Sequence, residues 1–233
     1  MMLYDPSYFL YMIPAILLMS LAQWRVKSTY SKWGRTRNGM NITGLDAAKR
    51  LLSSAGMMGV RVEGIAGQLT DRYDPSKNTL YLSQSVATNP SVAAIAIAAH
   101  EIGHAMQDNE GYLPLRFRSA LVPAANIGST FGWIMIFAGL LLGLSPIAWL
   151  GVGVFSIGAV FALATLPVEF NASSRARDLL AQTGLASSSE DMRGANEMLN
   201  AAAMTYVAAL ATSVLQLLYF VSLLGGFGGR RRS

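Results

Sequence analysis

Apolar positions along this chain gather into four long runs, near 8–24, 121–144, 147–168 and 203–224. Crossing the hydrocarbon layer of a bilayer takes about 20 mostly apolar residues, so each run predicts a spanning helix. Only a short turn around Ser145 and Pro146 separates the second and third runs, which predicts a tight transmembrane hairpin. Small residues in these runs, among them Gly151, Gly153 and Gly158, would let neighbouring helices approach closely.

Between the first and second runs the pattern changes. "TGLDAAKRLLSSAG" (43–56) has a threonine suited to a helix N-cap, a helical rhythm of alanine and leucine, and a glycine stop. "GVRVEGI" and "GQLTDRY" alternate as strands do, "DPSKN" is a turn, and "TLYLSQSV" returns as another strand. The last is either an exposed edge, onto which an extended peptide adds by main-chain hydrogen bonds, or a strand packed on the following helix. That helix is "NPSVAAIAIAAHEIGHAMQD", with Asn89 as its expected cap and Pro90 in its first turn. The resulting expectation is an α+β membrane protein, with about four transmembrane helices and a small unit in which one buried helix packs on a small sheet.

Composition agrees with a lipid setting: 52% of residues are hydrophobic and 13% charged, against about 25% charged in an ordinary soluble domain. There are no cysteines, which excludes disulfides and thiolate chemistry. The net charge of +5 does not form a long basic patch, so nucleic acid is not an expected partner. Arg25, Lys27, Lys32, Arg35 and Arg37 instead follow the first run directly, as a cytoplasmic flank does. The residues before that run carry Asp5 and no positive charge, which fits an uncleaved anchor better than a signal peptide. Sidedness follows from the basic flank: 25–120 and 169–200 are expected in the cytoplasm, although Arg230, Arg231 and Arg232 then fall outside, against the rule.

The only two histidines of the chain stand in "HEIGH". Residues four apart on a helix share a face, so His100 and His104 can bind one metal ion together. Glu101 lies on the adjacent face, where it can take a proton from a metal-activated water and return it to a leaving amine. This is the HExxH pattern of metal hydrolases. Burying two histidines and a glutamate in an alanine-lined helix without a metal would be costly. Gly103 is expected to admit another backbone close to that helix.

Catalytic zinc commonly takes three protein ligands, and with no third histidine the remaining ligand should be a carboxylate. Glu110 and Glu169 are the candidates, while Glu190 and Glu197 look like solvated helix charges. Glu169 follows Pro167, which is expected to stop the third run and open a new amphipathic helix. Ser173, one turn later, could hydrogen-bond a ligand histidine. Tyr206 and Arg175 are candidates for stabilising an oxyanion, or else an interface aromatic and a salt-bridge partner.

"AIAAHEIGHAMQ", "LPVEFNASSRA" and "NAAAMTYVAAL", with four apolar runs around them, resemble the YugP-like family of membrane zinc metallopeptidases over almost the whole chain. More distantly the layout is similar to HtpX-like and CAAX-prenyl proteases. The resemblance implies Zn2+ on His100, His104 and Glu169, Glu101 as general base, a gluzincin-type fold and a bacterial inner (cytoplasmic) membrane location. Those distant relatives carry an aspartate where this chain has Ser173.

Taken together, the organisation expected is an anchor (1–24), a cytoplasmic zinc-protease unit (25–120), a transmembrane hairpin (121–168), a helical segment with the third ligand (169–200), and a last span with a basic tail (201–233). The activity expected is hydrolysis of peptide bonds in membrane or juxtamembrane substrates, with the lipid bilayer as the other partner. An inactive zinc-containing scaffold is the alternative. It has no use for Glu101. A metal transporter would need ionisable residues lining the spans, and they are almost absent.

Overall fold

The structure, a computed structural model, describes residues 6–229. Asp5 and the three terminal arginines, on which the sidedness expectation drew, lie outside the described residues. Helices dominate: α1 (Pro6–Trp33), α2 (Gly44–Ser54), the short α3 (Gln84–Thr88), α4 (Val92–Asn109), α5 (Leu113–Leu141), α6 (Ser145–Thr183) and α7 (Ser189–Gly229). A three-stranded sheet, β1 (Arg61–Ile65), β2 (Arg72–Asp74) and β3 (Thr79–Ser83), lies between α2 and α3 in the chain. Helices α1, α5, α6 and α7 are each long and apolar enough to cross a membrane.

The chain divides into two compact units. The first comprises Met1–Ala22, Arg116–Leu166 and Thr205–Ser233, and it contains the apolar parts of the four long helices. Their outward leucines and isoleucines, such as Leu17, Ile134 and Leu163, are exposed, as lipid-facing side chains are. Close packing rests on small residues: a Cβ added at Gly132 would stand 2.7 Å from Phe155 N, and one at Gly139 2.5 Å from Ala148 N. Gly151 is equally tight against Ile136, whereas Gly153 and Gly158 have nothing within 4 Å and serve no close approach. The hairpin turns through Gly143, in the left-handed region at φ 67. Ser145 and Pro146 do not form the turn but begin α6, because proline's fixed φ and missing N–H suit a first helical turn.

The second unit comprises Gln23–Leu115 and Pro167–Met204, and its core is built around α4. Ser91, not Asn89, caps this helix, its hydroxyl accepting from Ala94 N. Asn89 is extended, the conformation favoured before a proline. From Val92 to Ala99 nearly every residue is buried, the mark of a helix enclosed on all sides. Thr43 caps α2 as expected, accepting from Asp46 N, and Gly56 follows at φ 69.

Strand order is β1-β3-β2, with β1 parallel and β2 antiparallel to β3. "TLYLSQSV" is therefore not an exposed edge: its first five residues are the central strand, mostly buried, and the rest turn into α3. "GQLTDRY" is strand only in its last residues, since Gly67 and Leu69 take positive φ and break the extension.

Pro167 does not stop the third run. It lies inside a continuous α6. A proline there removes one helical hydrogen bond and crowds the carbonyl four residues back. The following turns are held by burial instead, with Ala172, Ala176 and Leu180 wholly enclosed. The expected separate segment at 169–200 is in fact the end of α6 and the start of α7, joined through Gly184.

Gly103 of α4 meets α6 backbone to backbone: a Cβ there would lie 2.5 Å from Ala172 O and 3.1 Å from its Cα. Gly103→Ala should consequently lower stability by about 1–3 kcal/mol, despite alanine's better helix propensity. Thermal unfolding in detergent micelles measures it, and an unchanged or raised midpoint would contradict this packing.

Candidate metal centre

Two helices of the second unit supply the site. On α4, His100 and His104 project one turn apart, with ring centroids 4.8 Å from each other. On α6, Glu169 faces both: its Oε2 lies 3.3 Å from His100 Nε2 and 3.6 Å from His104 Nε2. One ligand atom from each residue falls within 4.8 Å of the other two. Glu169 is only 6% exposed, and its Oε2 has no hydrogen-bond partner although it is buried. An orphaned, buried carboxylate oxygen set against two imidazole nitrogens is unfavourable by itself, and it becomes favourable when a cation sits among the three. Two nitrogens and one carboxylate oxygen are also the donor types that zinc takes in catalytic sites. The residues present therefore fit the metal.

Both histidines are held from behind. Ser173 Oγ lies 3.3 Å from His100 Nδ1, as the one-turn spacing from Glu169 predicts. His104 Nδ1 lies 3.0 Å from Gln107 Oε1. Gln107, fully buried, donates from Nε2 to Val168 O at 2.8 Å and to Asn171 Oδ1 at 3.0 Å. Gln107 and Asn171 were missed as site residues by sequence reasoning. The only available signal was spacing, since Gln107 stands three after His104 on the same helical face.

Glu101 stands beside the cluster rather than in it, and Tyr73 N of β2 donates to its Oε2 at 3.0 Å. Burial pushes the Glu101 carboxyl above its ordinary value, and the neighbouring Glu169 adds to this, while His100, His104 and the Tyr73 bond pull the other way. Burial also draws His104 down, but contact with Glu169 and the charge of Glu101 outweigh it and leave its pKa raised.

The other candidates within this unit fall elsewhere. Glu110, the C-cap residue of α4, takes both Nη groups of Arg175 at 2.7 Å each and is not in the cluster. Arg175 also donates from Nε to Asn171 Oδ1 at 2.7 Å, so its donors are committed as a salt-bridge residue's are, not aimed as an oxyanion donor's would be. Tyr206 belongs to the other unit. Glu190 pairs with Arg193 at the surface. Glu197 is more than a solvated charge, since it accepts from Lys32 Nζ at 3.0 Å and Trp33 Nε1 at 2.7 Å.

A pair of histidines one turn apart, closed by a glutamate from a second helix, is the donor set of a zinc hydrolase, and comparison with known proteins gives the same class. The chain matches, over residues 8–225, the family described as "Putative neutral zinc metallopeptidase", and it belongs to that family. Among individual proteins it is 41% identical over 209 residues to the "Putative membrane protease YugP" of Bacillus subtilis (strain 168), covering 90% of this chain and 92% of that protein. No solved structure matches it significantly.

Two outcomes follow for metal binding. Purified wild type should carry one zinc per chain; Glu169→Gln should lose it, and Glu110→Gln should keep it, as elemental analysis would show. Retention of zinc without Glu169 would remove that residue from the site. Zinc must also displace the proton that His104 holds below its raised pKa, so apparent affinity should climb by about tenfold per pH unit there and level off above it. A flat affinity profile from pH 5 to 8, in titrations against a competing chelator, would contradict this.

Proposed function

We propose that this protein is a membrane-bound zinc metalloendopeptidase of gluzincin type, with His100, His104 and Glu169 as zinc ligands and Glu101 as general base. The observation that carries the reading is the convergence of two Nε2 atoms on a buried, unpartnered Glu169 oxygen, with a second carboxylate beside them. A zinc ion held there would polarise a scissile carbonyl and lower the pKa of water.

The chain's own part is proton handling and placement. Glu101, anchored through Tyr73 N–H, accepts one proton from the attacking water as the new C–O bond forms. It then delivers that proton to the nitrogen as the C–N bond breaks, so that an acid and an amine leave. Its upward-shifted carboxyl suits both halves, because a base closer to neutrality also gives its proton back readily. A scaffold that merely held zinc would not need this carboxylate.

The name of the Bacillus relative, a membrane protease, and four helices long and apolar enough to cross a bilayer support substrates that are membrane proteins or juxtamembrane peptides. The basic flank from Arg25 to Arg37 supports a cytoplasmic site, and the bacterial source of the relative supports an inner-membrane setting.

Glu101→Gln should keep zinc and lose about 10²–10⁴ in the rate of peptide hydrolysis, measured on a detergent-solubilised unfolded membrane protein. Activity equal to wild type would reject Glu101 as the base. Sidedness is open to a clean test because the chain has no cysteine. Ser76→Cys, in the exposed β2–β3 turn, should react in intact cells with a membrane-permeant maleimide and not with an impermeant one. Labelling by the impermeant reagent would reverse the orientation.

A further inference from the structure

We infer that Gln107 is a positioning residue that fixes which nitrogen of His104 is free to bind metal, and that its own orientation is set by Val168 and by the Asn171–Arg175 pair. The inference rests on the reading of His100, His104 and Glu169 as a zinc site.

A backbone carbonyl only accepts hydrogen bonds and a guanidinium only donates them. Val168 O, 2.8 Å from the Gln107 amide, therefore requires the NH2 end of that amide. The same NH2 meets Asn171 Oδ1 at 3.0 Å. Asn171 cannot rotate to offer its own NH2 instead, because Arg175 Nε, 2.7 Å away, needs the oxygen. Arg175 is in turn held by both oxygens of Glu110. Reversing Gln107 would place its oxygen against two acceptors inside the protein, leaving buried groups unpaired.

The remaining end of Gln107, its Oε1, faces His104 Nδ1 at 3.0 Å. That contact is favourable only when Nδ1 carries the hydrogen. On a neutral ring Nε2 then keeps its lone pair, and Nε2 is the atom that faces Glu169. The order of donors and acceptors from the Glu110–Arg175 ion pair to His104 thus has one consistent direction, and it delivers a bare nitrogen to the metal position. Partners of this kind typically change metal affinity by about 10–100-fold when removed.

The test uses full-length protein in detergent micelles, with Gln107→Leu, Asn171→Leu and the conservative Asn171→Asp. Asn171→Asp keeps an acceptor for both Arg175 and Gln107. Zinc affinity should fall by about 10–100-fold in Gln107→Leu, fall in Asn171→Leu, and stay near wild type in Asn171→Asp. Thermal unfolding of the metal-free proteins identifies any variant that has simply lost its fold, and the asparagine pair decides the matter should Gln107→Leu unfold.

A purely structural clamp between the helices would not set the hydrogen position on His104. Ring 15N spectra of metal-free protein, taken at alkaline pH, read that position directly. With two histidines in the chain the assignment needs one variant. Wild type and Asn171→Asp should show His104 with hydrogen on Nδ1, and Gln107→Leu a mixture of both forms. An unchanged His104 pattern in a folded Gln107→Leu, or unchanged zinc affinity, overturns the inference. Failure of the wild type to take up zinc overturns the zinc reading instead, and the metal-free spectra still decide what Gln107 does.

Discussion

The site depends on one close approach, that of α4 and α6 at Gly103 and Ala172. Helix axes come together only as far as their side chains allow, and here the first has no side chain. That contact puts Glu169, three residues before Ala172, opposite two histidines that flank Gly103. It also brings the amide of Gln107 within hydrogen-bond reach of the Val168 carbonyl and of Asn171. A methyl group at position 103 would spread the helices and pull every one of these distances apart together. Packing and chemistry are thus the same constraint seen from two sides.

Polar groups in such an enclosed place must be satisfied or they destabilise the fold. Around this cluster the accounting is nearly complete. Gln107 uses its oxygen and its nitrogen, and Asn171 receives two donors. Arg175 is paired on all three faces of its guanidinium, and Ser173 stands at His100. The exception is the Glu169 oxygen between the two imidazoles. One unsatisfied acceptor in an otherwise closed network is where the proposed zinc would sit.

Much of this was legible from local pattern. Four apolar runs, the cap at Thr43, and the four-residue spacing of the histidines each carry their information within a few neighbouring residues. Glu169 was legible as a carboxylate candidate beside Glu110. What was not legible depends on distant partners. Sheet order cannot be read from the strands themselves, so "TLYLS" was open to being an edge when it is the centre. Pro167 reads as a stop because local rules see the lost hydrogen bond and not the buried alanines that hold the next turns. Gln107 and the backbone of Tyr73 are ordinary residues in the sequence, and only their tertiary neighbours make them part of the site.

The spacing of the proposed ligands along the chain has a consequence for biogenesis. Two of them lie on α4, before the α5–α6 hairpin, and the third lies late in α6, so a growing chain would hold only a two-donor fragment until Glu169 has been made. Because two donors hold zinc far more weakly than three, an incompletely synthesised chain would carry no complete form of the proposed centre. Zinc content would then report whether synthesis had passed Glu169.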